Sequence, residues 1–220
     1  RYKTCLLMDY MIGQLDMLLD RQATISRPKQ LLYSTIERFN LRFVPSITDT
    51  ALHRDYFEQL TGIRPKRMAV LPVGVREIPM LPTPNLQKPL VQYAGTFIPF
   101  HGVDVILRAA ERLPNTAFEL IGVGQCMPDA QQMKRDLQLT NVNLVEAYVP
   151  LDELRQWQAR STIMLGVFGA ADKTDYVIPN KVFEALALGR PLITAESRAI
   201  ASVFTTGEHL ITAPPDDPEA

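Results

Sequence analysis

The sequence predicts an α/β fold: a doubly wound, Rossmann-like parallel-sheet domain over 82–220, preceded by the tail of a second such domain over 1–81. Three observations predict it. Beyond residue 89, short apolar runs alternate without a break with segments of helical period, the pattern of successive βαβ units. A proline-dense stretch, LPVGVREIPMLPTPNLQKP, holds four prolines from Pro72 to Pro84 and a fifth at Pro89, and reads as a linker between that series and an earlier, shorter one. Finally, 220 residues, 46% hydrophobic and 21% charged, suit an ordinary globular chain of one large or one and a half smaller domains.

Taken in order, the apolar runs at 5–8, 43–47 and 68–73 read as strands, with helices over 28–40 and 50–61. After the linker come strand 90–94, helix 102–113, strand 117–121, helix 129–138, strand 142–145 and helix 151–158. Strand 162–166, helix 180–188, strand 191–194, a short helix near 197–204 and strand 209–212 complete the series. Spacing supports these helices: Ile106, Ala109, Ala110 and Leu113 occupy one face, and Arg108, Glu111 and Arg112 the other. The segment VFEALAL, 182–188, is apolar nearly all round, so that helix is expected to be buried, with Glu184 as a carboxylate in need of a partner. Gly189 is expected as its left-handed cap, ahead of Pro191. The chain opens on TCLLMDY without a methionine and stops in PPDDPEA, a helix-start signal without its helix. It is therefore expected to be a fragment lacking its final helix, and inactive alone.

Composition excludes several classes. With 23 basic and 24 acidic residues, the net charge of -1 supplies no field for nucleic acid. Cys5 and Cys126 are isolated, so neither a disulfide framework nor a zinc site is indicated, and a reducing, cytoplasmic compartment fits. No run approaches the roughly 18 apolar residues that span a bilayer. The segment RPKQLLYSTIERFNLR, with Arg27, Lys29, Arg38 and Arg42, is a basic amphipathic helix, suited to solvent, to a polyanionic acceptor or to peripheral membrane contact.

In open α/β sheets ligands collect beyond the carboxyl ends of the strands. Three loops there are unusual. AGTFIPFHG places Gly95 and Thr96 at a strand end and His101 and Gly102 at a helix start, where backbone N–H groups face an anion. IGVGQ ends a strand with Gly122 and Gly124, which serve either packing or base contact. GVFGAADKTDYVIPNKVFEALALGRP is a long polar loop leading to Pro179, Asn180 and Lys181, where Pro179 suits a first turn, Asn180 can cap and Lys181 brings positive charge to an anion site. One turn on, Glu184 is placed to accept two hydrogen bonds from vicinal ribose hydroxyls.

The stretches YAGTFIPFHGVDVILRAAERL, FELIGVGQ, NVNLVEAYVPLDELRQW and IPNKVFEALALGRPLIT resemble, in order and spacing, the carboxyl-terminal domain of GT-B glycosyltransferases of the large retaining family four, glycosyl transferases group 1. FVPSITDTALHRDYF with MAVLPVGV resembles the last βαβ unit of their amino-terminal domain, so the resemblance covers about 42–217. It implies a nucleoside-diphosphate-sugar donor between two domains, transfer to an acceptor glycan, lipid or small molecule with retention, and no cofactor or metal. Glu184 matches the second glutamate of the family's pair, the ribose ligand. Tyr176 stands where the first is usual, with Asp172 and Asp175 in the same loop, and Thr96 and His101 stand where the family carries Arg and Lys for the diphosphate. Donor contact is thus expected from Gly95, Thr96, His101, Gly102, Gly124, Tyr176, Pro179, Asn180, Lys181 and Glu184. Two other classes stay open: a non-catalytic nucleotide-sugar-binding module, which the missing first glutamate favours, and a dinucleotide enzyme, which the position of GVG after the domain's second strand opposes.

Overall fold

The computed structural model describes residues 6–21, 23–65, 67–77, 87 and 89–220. The earlier part of the chain runs β1 (Met8–Asp9), α1 (Gln14–Asp20), α2 (Arg27–Phe43), β2 (Ser46–Thr48), α3 (Ala51–Thr61) and β3 (Met68–Val70), with the strands parallel in the order β1-β2-β3. The later part runs β4 (Leu90–Ala94), a 3-10 turn (Pro99–His101), α4 (Val103–Arg112), β5 (Ala117–Gly122), α5 (Met127–Asp136), β6 (Val142–Glu146) and α6 (Leu151–Ala159). It continues through β7 (Ile163–Leu165), α7 (Asp172–Tyr176), α8 (Asn180–Ala187), β8 (Leu192–Ala195), α9 (Arg198–Ala201) and β9 (Ile211–Ala213). These six strands are all parallel, in the order β6-β5-β4-β7-β8-β9. That is the doubly wound order, reversing direction between β4 and β7.

Local chemistry accounts for the boundaries that differ from expectation. Helix α2 runs on to Phe43 and β2 starts only at Ser46, because Val44 precedes Pro45 and is held in extended backbone, ending the helix. The helix expected from 102 starts at Val103, after the 3-10 turn and Gly102 in left-handed backbone at φ 64°. Helices α1 and α7 were not expected: each is short, and each is held by contacts distant in sequence. In α1 the Leu15 N–H donates at 2.9 Å to the buried Glu37 carboxylate of α2. Burial pushes that carboxyl above the usual range, against the hydrogen bonds that lower it. The first apolar run begins outside the described residues, as does most of the proline-rich linker.

Helix α8 is not buried all round. Val182 and Ala185 are buried, Phe183, Leu186 and Glu184 only partly, so the helix lays one face on the sheet and leaves the other toward a cleft. Pro179, not Asn180, is its N-cap, and no side chain caps it, since Asn180 already lies in the first turn. Gly189 follows in left-handed backbone at φ 62°, with Arg190 N–H closing on the Ala185 carbonyl at 2.9 Å. One apolar core, with Tyr93, Phe97, Leu107, Leu120 and Met127, fills the space between β4, β5 and helices α4 and α5. A second, with Met164, Val182, Leu192 and Ile200, lies under α8 and α9, and a small third of Tyr10, Leu41, Phe57 and Met68 holds the three-stranded sheet.

Candidate functional site

The reversal of strand order brings the loops after β4 and β7 face to face. Gly102 is required there, since a Cβ on it would lie 2.5 Å from the Gly169 nitrogen, and the two loops exchange backbone hydrogen bonds from Phe168 to His101 and from Gly169 to Phe100. The loop after β5 presses on the same segment from the other side. Phe97 N–H donates to the Val123 carbonyl and Cys126 N–H to that of Phe97, both at 2.9 Å. Cβ atoms on Gly122 and Gly124 would land on the backbone of Gly95 and Phe97 respectively. Both glycines therefore let two loops cross, and of the two roles open to them, packing is the one this geometry requires.

Onto this frame α8 brings a cation. The Lys181 ammonium lies against Gly95, where a Cβ would stand 2.8 Å from Nζ, and 4.9 Å from the Tyr93 ring centroid. Burial pushes its pKa down to about 8, with Glu184 opposing the shift. Among the described residues no carboxylate is within ion-pair distance of it. His101 is spent on the loop itself: its Nδ1 meets the Thr96 carbonyl and, at 2.7 Å, the Tyr93 hydroxyl, which also donates to Thr96 O at 3.0 Å. A carbonyl only accepts, so Nδ1 carries the proton. Burial foremost, then the charge on Lys181, pushes the imidazole down to about 3. His101 is thus an uncharged brace at neutral pH, and the positive charge at this strand end is that of Lys181. Thr96 is exposed beside it.

Three concavities surround these groups. The first, between the ends of β4, β5 and β6, is lined by Gly95, Thr96, Gly122, Tyr148, Val149 and Leu154, and measures about 220 Å³. Glu184 opens on a second of about 190 Å³, shared with Arg76, Leu151, Arg155 and Gln158. On the far side of the same β4 loop lies a cleft of about 720 Å³, walled by Phe100, Asp104, Asp129, Asp172 and Tyr56. Ile98, Pro99 and Phe100 face this cleft while Gly95 and Thr96 face the first, so one loop separates the largest space from the cationic corner. Tyr148, Val149, Leu154, Arg155 and Arg76 were not singled out from sequence. The signal for Tyr148 was present, for it lies two residues beyond the end of β6, and it is 92% exposed.

Tyr176 borders the large cleft but is almost wholly buried. Its ring stacks on Tyr56 at 4.0 Å and 17°, and its hydroxyl reaches Asp16 at 3.3 Å. Asp175 pairs with Arg198 at 2.5 Å and accepts the Arg198 N–H at 2.8 Å, holding the start of α9. Asp172 alone of the loop's three singled-out residues is exposed at the cleft. The structure gathers Gly95, Thr96, Lys181 and Glu184 on one side, while Pro179 and Asn180 start the helix that carries the last two.

A search of curated proteins finds none that matches significantly. Among solved structures, HepE of Anabaena in complex with UDP and glucose matches with a TM-score of 0.77 at 14% identity, over 98% of this chain and 59% of that one. WaaG, a glycosyltransferase involved in lipopolysaccharide biosynthesis, matches at 0.66 and 17% identity, over 90% and 58%. The pneumococcal O-GlcNAc transferase GtfA, in complex with UDP and GlcNAc, matches at 0.62 and 19%, over 86% and 38%. The chain thus spans less than two thirds of each of these structures, and shares with them the GT-B architecture. The family model described as glycosyl transferases group 1 matches residues 88–220, well over half of the sequence, and the chain belongs to that family.

Proposed function

We propose that this chain is the donor-binding part of a glycosyltransferase that moves a sugar, with retention, from a nucleoside-diphosphate sugar to an acceptor glycan, lipid or small molecule. The observation that carries the reading is the ammonium of Lys181, partnerless among the described carboxylates, set against Gly95 at the start of α8 and one turn from Glu184. A diphosphate at Gly95 and Thr96 receives that charge together with the free N–H groups of the helix start. The ribose hydroxyls then reach the Glu184 carboxylate, and the base enters the recess beside Tyr148, Val149 and Leu154. Fixed cationic and N–H donors stabilise the negative charge of the departing nucleotide, so the chemistry asks for no metal or cofactor. The transferred sugar extends from the diphosphate around the β4 loop toward the large cleft at Asp172, where the acceptor enters. UDP is the first nucleotide to try, because UDP occupies HepE and GtfA, which share the fold.

Calorimetric titration with UDP, GDP and ADP tests the reading. One of them should bind, and Glu184→Ala should weaken it by about 1–3 kcal/mol by removing two hydroxyl contacts. Failure of all three to bind would sink it. A second reading, a binding module without turnover, is favoured by the tyrosine at position 176, where the family usually carries its first glutamate, and is separated from the first by whether the bound sugar is ever transferred or hydrolysed. The exposed face of α2, with Leu32, Ile36, Phe39 and Phe43 beside Arg38 and Arg42, supports peripheral contact with an anionic membrane at the cytoplasmic face. Sedimentation with anionic but not neutral vesicles is the expected result.

A further inference from the structure

We propose that Asp16 is a positioning residue for the sugar end of the donor, acting through Lys173 and Tyr176; the inference rests on the donor site proposed above. Asp16 lies on α1, in the three-stranded unit, and is completely buried. One carboxylate oxygen takes the Lys173 ammonium at 2.7 Å, and the other takes the Tyr176 hydroxyl at 3.3 Å. Both partners belong to α7, more than 150 residues away. Helix α7 is the second half of the loop that leaves β7, walls the large cleft with Gly169, Ala170 and Asp172, and feeds into α8 through Pro179. Whatever fixes α7 therefore fixes the wall against which a donor sugar rests.

Other contacts also hold α7: Asp175 ties it to α9 by taking the Arg198 guanidinium at 2.5 Å and its N–H at 2.8 Å, so Asp16 is the charged anchor on the side of the three-stranded unit. The Thr50 hydroxyl donates to the Tyr176 carbonyl at 2.6 Å, and the Tyr56 ring covers that of Tyr176. Within the loop, the Thr174 hydroxyl donates to the Gly169 carbonyl at 2.7 Å. A hydroxyl contact or a ring stack tolerates sliding. A carboxylate with one oxygen on an ammonium and the other on a phenol fixes two points at once, and two points orient a one-turn helix. A buried ion pair adds little net stability compared with an apolar pair of similar volume, because both charges leave water. Its distinctive contribution is geometric. Lys173 also lines the cleft, and the same contact engages its ammonium there.

The test uses the nucleoside diphosphate that binds in the titration above, together with its glucose, mannose and N-acetylglucosamine esters. Two variants are compared with the wild type: Asp16→Asn/Lys173→Met, which removes the pair without stranding a buried charge, and Tyr176→Phe, which keeps the ring and loses the hydroxyl. In the wild type the best and worst sugar esters should differ in Kd by about tenfold or more. In the double variant that spread should shrink to about twofold while the Kd of the free nucleotide stays within about twofold of wild type, with Tyr176→Phe intermediate. A structural role alone would weaken nucleotide and sugar esters in parallel, and that result overturns the proposal. So does a spread that survives in the double variant, or its absence from the wild type. Binding of no nucleotide by the wild type is a separate result, which removes the donor site itself and this inference with it.

Discussion

Lys181 rests over the Tyr93 ring with its pKa lowered to about 8 from the ordinary 10.5. The folded state thus binds fewer protons than the unfolded chain between those values. The stability lost to the buried charge is lost in full below pH 8 and recovered as pH rises through 8 toward 10.5. Lys181→Met should raise the melting temperature of the ligand-free protein at pH 7 by about 2 °C or more, and the gain should fade above pH 10. Nucleotide affinity has the opposite dependence. In the proposed site a diphosphate needs the ammonium, so affinity should fall as pH rises above 8 in the wild type and stay flat in Lys181→Arg, which calorimetry at pH 7 and pH 9 would show. The two measurements together separate a ligand-binding lysine from a solvated one, for a solvated lysine would change neither. His101 gives no such titration in this range, since its pKa near 3 keeps it neutral.

At the scale of elements, the loops after β4, β5 and β7 interlock where side chains are absent. Gly124→Ala would drive a methyl into the Phe97 backbone, and should lower stability by about 1–3 kcal/mol in denaturant titration while weakening nucleotide binding, because Gly95 and Thr96 move with that loop. The long strands and amphipathic helices of the later domain were legible because their periodicity is local: β4 appears at the expected residues, and α4 and α6 within one or two. Helices α1 and α7 were not, since what orders them lies far along the chain: Glu37 for α1, and Asp16, Thr50 and Tyr56 for α7. The same reason hid the true surroundings of Tyr176. A resemblance marks the position as one facing the donor, but only tertiary contact shows a phenol turned to a buried carboxylate of the other unit. That Lys181 and Glu184 lie one turn apart was legible because a single helix carries both.

For the molecule as a whole, the two sheets are unequal. Among the described residues, the three-stranded unit has strands of two or three residues and a small core around Tyr10, Leu41, Phe57 and Met68, whereas the six-stranded unit has two extended cores. Residues 89–220 expressed alone should still melt cooperatively and bind the same nucleotide as the whole chain, because Gly95, Lys181 and Glu184 all belong to that unit. They should no longer distinguish between sugars, since Asp16 and Tyr56 are gone. A piece that fails to fold would show that the units stabilise one another.

The crossing of glycines at the β4 and β5 loops also channels how such a protein can diverge. Because Gly102, Gly122 and Gly124 each stand against another stretch of backbone, a single substitution at any of them disturbs two loops at once. Tyr148, by contrast, stands almost free at the end of β6. For the donor site as proposed, changes of nucleotide preference should therefore accumulate at the rim beside Tyr148, while the glycine crossing stays as it is.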